Sequence, residues 1–124
     1  MPTTNAFGEA IKARRAELRL TLREFAKRSN MDPGNASRIE RGRLAPPQRE
    51  EVLARVAHAL ELEAGSAEWQ NLLDLAAAAN GRVPSDILSD EDAMARLPVL
   101  FRTVRNKSFD PEKLDKLLQS IREA

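Results

Sequence analysis

One histidine, His58, and no cysteine occur among 124 residues, so the chain lacks the usual means of covalent and metal chemistry. A catalytic or metal-binding histidine works with partners, and thiolate nucleophiles, zinc–thiolate sites and disulfides all require cysteine. No catalytic residue, metal site or cofactor is therefore expected, and the chain is not read as an enzyme. The run Asp90-Glu91-Asp92 has the look of paired carboxylates, but it stands where a helix begins and complements the positive end of the helix dipole. What remains is charge, 20 Lys+Arg against 19 Asp+Glu, a net of +1. So even a balance speaks against a nucleic-acid partner, whose affinity is dominated by phosphate contacts. Along the chain the balance changes meaning. Residues 1–46 hold ten basic and five acidic side chains, residues 47–65 two and four, residues 66–99 two and six, and residues 100–124 six and four. A polyanion would sit on the basic first third, and the chemistry there is non-covalent phosphate recognition.

The elements that must position these charges are helical. Apolar residues recur at three- and four-residue spacing, and no stretch alternates long enough to form a strand, so the expected class is all-α. A first helix is expected over residues 5–16, with Phe7, Ile11 and Leu18 as its apolar edge. Thr21-Leu22-Arg23-Glu24 is a capping box that opens a second helix: the hydroxyl bonds the third helical N–H and the carboxylate reaches back. Asp32-Pro33 opens a third, pairing a preferred N-cap with a residue whose missing N–H had no partner there. It stops at Gly42. Two helices so close in sequence have the spacing of a helix-turn-helix, whose second helix can enter the DNA major groove. After Pro46-Pro47 a fourth helix is expected over residues 48–60, with Val52, Leu53, Val56 and Leu60 on one stripe and His58 in a structural or surface role. Ser66 caps a fifth over residues 67–79, anchored in the core by Trp69, Leu72, Leu73 and Ala76.

Gly, Pro, Ser and Asp accumulate from Asn80 to Ser89, which marks a linker between a first domain, residues 1–80, and a C-terminal helical module, residues 81–124. In that module Ser89 is expected to cap a helix over residues 90–96, and Pro98 to kink or restart it. Leu97, Leu100, Phe101 and Val104 recur at i, i+3, i+4 and i+7. Asp110-Pro111 repeats the cap-plus-proline signal, and Leu114, Leu117, Leu118 and Ile121 follow at the same spacing. Two short helices cannot hide both stripes alone, so these eight residues form the expected dimer or partner face. Within the basic stretch 101–107, Phe101 and Val104 are expected inside and the charges outside. The longest unbroken apolar run, residues 75–79, falls far short of the about 20 residues of a membrane span. No secretory segment is expected after Met1.

The stretch Thr21-Leu22-Arg23-Glu24-Phe25-Ala26-Lys27-Arg28, then Met31-Asp32-Pro33-Gly34-Asn35-Ala36-Ser37-Arg38-Ile39-Glu40-Arg41-Gly42-Arg43 and Pro46-Pro47, resembles the XRE family of phage-repressor-like helix-turn-helix regulators. The resemblance spans about residues 7–62. The remainder is loosely similar to the C-terminal part of XRE regulators encoded beside zinc metallopeptidases of the ImmA/IrrE type. What the resemblance implies is a five-helix DNA-binding domain, a double-stranded DNA operator, a homodimer and a bacterial cytoplasmic, nucleoid-associated location. It places Gly34, Asn35, Ser37 and Arg38 against base edges. Arg38 leads, because a guanidinium can bond guanine O6 and N7 together, and Asn35 is left to read adenine likewise or to touch a phosphate. It places Thr21, Arg23, Arg41 and Arg43 on phosphates, contacts that position without reading sequence.

Arg15 and Glu40 match a buried ion pair between the first helix and the end of the third, an ordinary surface bridge being the alternative. Three positions depart from the family's pattern. Leu22 stands where a Gln is common, which removes a phosphate contact. Asn30 stands where the turn has Gly, and Asn tolerates the left-handed conformation. Ala36 stands where a larger Ile or Leu faces the core, a space Phe25 is expected to fill. Pro33-Gly34 gives the reading helix a tip poor in side chains.

Two functions follow. One is a sequence-specific transcriptional regulator, a dimeric repressor reading the major groove with the third helix. The other is an antitoxin that holds a toxin through its C-terminal half and represses its own operon. A regulatory metallopeptidase partner would instead inactivate a repressor by cleavage near the C-terminal helices.

Overall fold

The computed structural model describes residues 5–106, and all of their regular structure is helical: α1 (Ala6–Glu17), α2 (Leu22–Arg28), α3 (Pro33–Glu40), α4 (Glu50–Ala59), α5 (Ala67–Ala79), α6 (Ser85–Leu88) and α7 (Glu91–Asn106). No strand occurs among the described residues. Helices α2, α3 and α5 begin where side chains take up orphan N–H groups. Thr21 Oγ1 accepts from the Glu24 N–H at 3.1 Å while Glu24 Oε1 accepts from the Thr21 N–H at 3.0 Å. Asp32 Oδ2 accepts from the Asn35 N–H at 3.1 Å, and Ser66 Oγ from the Trp69 N–H at 3.2 Å. The helices end as locally. Arg19, Asn30, Gly42, Glu61 and Gly81 follow α1 to α5 in turn, each with φ between 56° and 76°. At Asn30 this left-handed residue lets the Met31 N–H return to the Ala26 carbonyl at 2.8 Å, which ends α2 and aims the chain into α3.

The chain divides into two compact units between Arg82 and Val83. In the first, α1 packs on α3 and α5, α2 on α3 and α4, and α4 on α5. Phe7, Ile11, Phe25, Ile39, Leu53, Val56, Leu60 and Leu72 fill its core. Ala26 and Ala36 are buried in the same cluster, where small side chains let α2 and α3 approach and Phe25 supplies bulk. Trp69 is only partly buried, Leu20 rather than Leu18 completes the buried end of α1, and His58 is exposed.

The second unit differs from the pattern expected of it at three points. The segment expected as a linker contains α6, because the Pro84 carbonyl accepts from both Ile87 and Leu88 and because Val83 and Ile87 pack on Ala93 and Leu97. Asp90 rather than Ser89 caps the next helix, its Oδ1 accepting from the Ala93 N–H at 3.1 Å. And α7 runs through Pro98. An interior proline costs about 3 kcal/mol, yet it removes only one donor, and the bonds before and after it suffice to continue the helix. Leu97 is buried and Leu100 partly so, whereas Phe101 (50% exposed) and Val104 (48%) face solvent instead of the interior. Leu114, Leu117, Leu118 and Ile121, with the Asp110-Pro111 signal, lie outside the described residues. Among the described residues no helix is long and apolar enough to cross a membrane.

Candidate nucleic-acid interface

Helix α3 is fixed from behind by α1. A methyl group on Gly8 would stand 2.5 Å from the Ile39 carbonyl oxygen and 2.6 Å from that of Glu40, so the two backbones meet where only glycine fits. Beside it Asn5 Nδ2 donates to the Glu40 carbonyl at 2.8 Å, supplying a partner to the end of α3. From the other end of α1, Arg15 Nη2 and Nε donate to the two Glu40 carboxylate oxygens at 2.7 and 3.1 Å. Arg15 Nη1 donates to the Leu20 carbonyl at 3.0 Å. This bidentate pair is part-buried, the side chains 20% and 9% exposed, and its hydrogen bonds raise the Arg15 pKa further above the neutral range. The arrangement sets the rotation of α3 about its axis and hence which residues it turns outward.

Those residues are Gly34, Asn35 and Arg38, exposed on α3, with Ser37 half-buried beside them. Arg38 Nη1 donates to Asn35 Oδ1 at 2.9 Å. Beyond the helix, Arg41 Nε reaches back to the Ser37 carbonyl at 3.4 Å, and the Arg43 N–H closes on the Arg38 carbonyl at 2.7 Å. Leu44, 41% exposed, follows at once. At the start of α2, Thr21 and Arg23 are both exposed. The capping box takes up the N–H groups of Thr21 and Glu24, so an anion there would meet the Leu22 and Arg23 N–H groups and the Thr21 hydroxyl proton. The same bonds from Thr21 hold the Glu24 carboxyl below the usual carboxylate range.

The arginines of the first unit sort by partner. Arg14, Arg15, Arg28 and Arg49 are ion-paired with Glu17, Glu40, Glu61 and Glu51. Among the described residues, no carboxylate stands within bridging distance of Arg23, Arg38, Arg41 or Arg43, nor of Arg19, Arg55 or Arg82, the last two of which donate to the Ser29 carbonyl and to Gln48. An open cavity of about 530 Å³ lies elsewhere on this unit, between α1 and the α4–α5 connection. Glu17, Glu61, Glu63 and Glu68 line it, a sign of charge that repels phosphate. No group of three metal-binding side chains occurs among the described residues.

Sequence reasoning passed over three residues that support this surface. Asn5 and Gly8 act on a carbonyl and a backbone more than 30 residues away, and Arg14 Nε donates to the Leu60 carbonyl at 3.0 Å, closing the end of α4. The only local hint was the glycine at position 8 inside an otherwise periodic helix.

Residues 6–69 match the family model described as a helix-turn-helix domain. The crystal structure of the clp gene regulator ClgR from C. glutamicum is 36% identical to this chain, covering 64% of this chain and 95% of that one, with a TM-score of 0.46. No curated protein matches.

Proposed function

This chain belongs to the helix-turn-helix domain family, which makes it a DNA-binding transcriptional regulator, and from that premise we propose that it is a dimeric, sequence-specific repressor of the XRE type. Helix α3 enters the major groove with Gly34, Asn35, Ser37 and Arg38 on its groove-facing side, and Arg38 is the principal reader of guanine. Thr21, Arg23, Arg41 and Arg43 grip the phosphates on either side. The observation that carries this reading is the sorting of the arginines. Arg15, behind α3, is neutralised by Glu40, whereas Arg23, Arg38, Arg41 and Arg43 have no carboxylate partner among the described residues and can meet an external anion.

Dimerisation falls to the C-terminal unit, where Phe101 and Val104 lie half exposed on α7; the proposed face continues through Leu114, Leu117, Leu118 and Ile121. A toxin held by that face is the competing reading and draws on the same exposed side chains. Selection of DNA sites by the purified chain tests the proposal. A near-palindromic site with half-sites about 34 Å apart is expected, and a single unrepeated half-site, or no preferred sequence, contradicts it.

A further inference from the structure

We infer that Asn35 is a positioning residue for Arg38 rather than a base reader in its own right, and that Gly34 contributes by leaving room for the Arg38 side chain; this rests on α3 being the reading helix. The two side chains stand one turn apart on an exposed surface, where residues at i and i+3 are neighbours. Arg38 Nη1 donates to Asn35 Oδ1 at 2.9 Å. A guanidinium has five donors and no acceptor, so the Asn35 amide must turn its oxygen toward Arg38 and its NH2 group away.

That orientation decides what each residue can still recognise. Asn reads adenine by accepting from N6 with its oxygen while donating to N7 with its nitrogen. In Asn35 one of the oxygen's two lone pairs already accepts from a charged donor, so an adenine could use the other only with the amide held in the orientation that Arg38 sets. Arg38 by contrast gives up one of its five N–H groups and keeps enough to bond guanine O6 and N7 together. The pair therefore suits one guanine, read by Arg38 with its guanidinium held from the side.

Gly34 fits the same scheme. Helical side chains lean back toward the N-terminus of their helix, and Arg38 does so: a methyl group on Gly34 would lie 3.6 Å from Arg38 Nη1, in van der Waals contact, and 3.0 Å from Asp32 Oδ2. A longer side chain at position 34 that extended toward Arg38 would occupy the path the guanidinium takes. Gly34 has no φ in the left-handed region that would demand glycine, so its lack of a side chain, not its backbone, is what the geometry uses.

The test is site selection with the full chain and with Asn35→Ala, Asn35→Asp, Arg38→Ala and the Asn35→Ala/Arg38→Ala double variant, each checked for retained helicity. Positioning predicts that Arg38→Ala lowers the preference for guanine at one base pair on the order of tenfold or more. Asn35→Ala weakens that same preference, and the double variant matches Arg38→Ala alone. Asn35→Asp keeps an acceptor for Arg38 but loses the NH2 donor, so it retains the guanine preference while binding all sequences more weakly through added negative charge. If Asn35→Ala and Asn35→Asp instead erase an adenine preference at a second base pair, with additive effects in the double variant, Asn35 is a reader and the positioning role is wrong. If Arg38→Ala leaves every preference of the wild-type protein intact, α3 is not the reading helix and both readings fall together.

Discussion

Among the described residues, the two units bury apolar surface to unequal extents. In the first, five helices enclose Phe25, Ile11, Leu60 and Val56 almost completely, Asn5 and Arg14 tie distant carbonyls into the same framework, and Arg15 does the same to the Glu40 carboxylate. In the described part of the second, only Ala93 and Leu97 are buried, with Val83, Ile87 and Leu100 partly covering them. Leu88, Val99, Phe101 and Val104 remain between 45% and 53% exposed. A unit with its own core can hold a binding surface rigid, whereas half-exposed apolar side chains such as these gain stability when they are covered. The difference is the basis for proposing recognition by the first unit and association through the second.

Trp69 is the sole tryptophan and packs on the first unit's core, so its fluorescence reports that unit. The largest expected effect comes from Leu60→Ala, which empties a 1% exposed site and should cost the Trp69-monitored unfolding transition about 2–5 kcal/mol. Leu97→Ala should leave that transition in place. If it shifts the transition as far as Leu60→Ala does, the units are not energetically separate.

Arg15→Ala comes next. It strands the Glu40 carboxylate, the more buried member of the pair, and should cost about 3 kcal/mol, the low end for a broken buried bridge because both partners retain some exposure. Glu40→Ala should cost less, since Arg15 keeps its bond to the Leu20 carbonyl. Equal losses in urea titrations of the two variants would argue against burial as the cause.

A double change of Phe101 and Val104 to serine should weaken self-association in sedimentation experiments while leaving the Trp69 transition unmoved. Retained self-association would place the dimer face elsewhere. The smallest effect belongs to Glu24. Its lowered pKa means that the capping box stabilises the fold above the carboxylate's unfolded value and stops doing so as pH falls through the folded one. Unfolding midpoints of wild type and Glu24→Ala should therefore differ at neutral pH and converge in acid.

These outcomes bear on what local sequence can announce. The capping box at Thr21, the Asp32-Pro33 start and the left-handed turn at Asn30 are complete within a few residues, and each is where the chain signals it. The all-α class and the helix-turn-helix spacing follow from such signals. Contacts joining α1 to the end of α3, or Arg14 to α4, span 25 to 46 residues and depend on how helices cross, which no local pattern encodes. The second unit misled for a related reason. Short-range rules place a break at Pro98 and a linker around Pro84, but packing of Val83 and Ile87 on α7 overrides them. Phe101 sits on an apolar stripe that the described residues do not cover.

The most direct test of the central claim, that the unpaired arginines around α3 are the phosphate grip, is the salt dependence of operator affinity. Wild type should be compared with Arg23→Ala, Arg41→Ala and Arg43→Ala, and with Arg28→Ala, whose side chain is already bridged to Glu61 at 3.1 Å. Each of the first three variants should bind all sequences more weakly and flatten the slope of log affinity against log salt by about 1 per bound protomer. Arg28→Ala should leave the slope unchanged. A slope that Arg28→Ala flattens as much as the others, or that none of the three alters, would contradict the account.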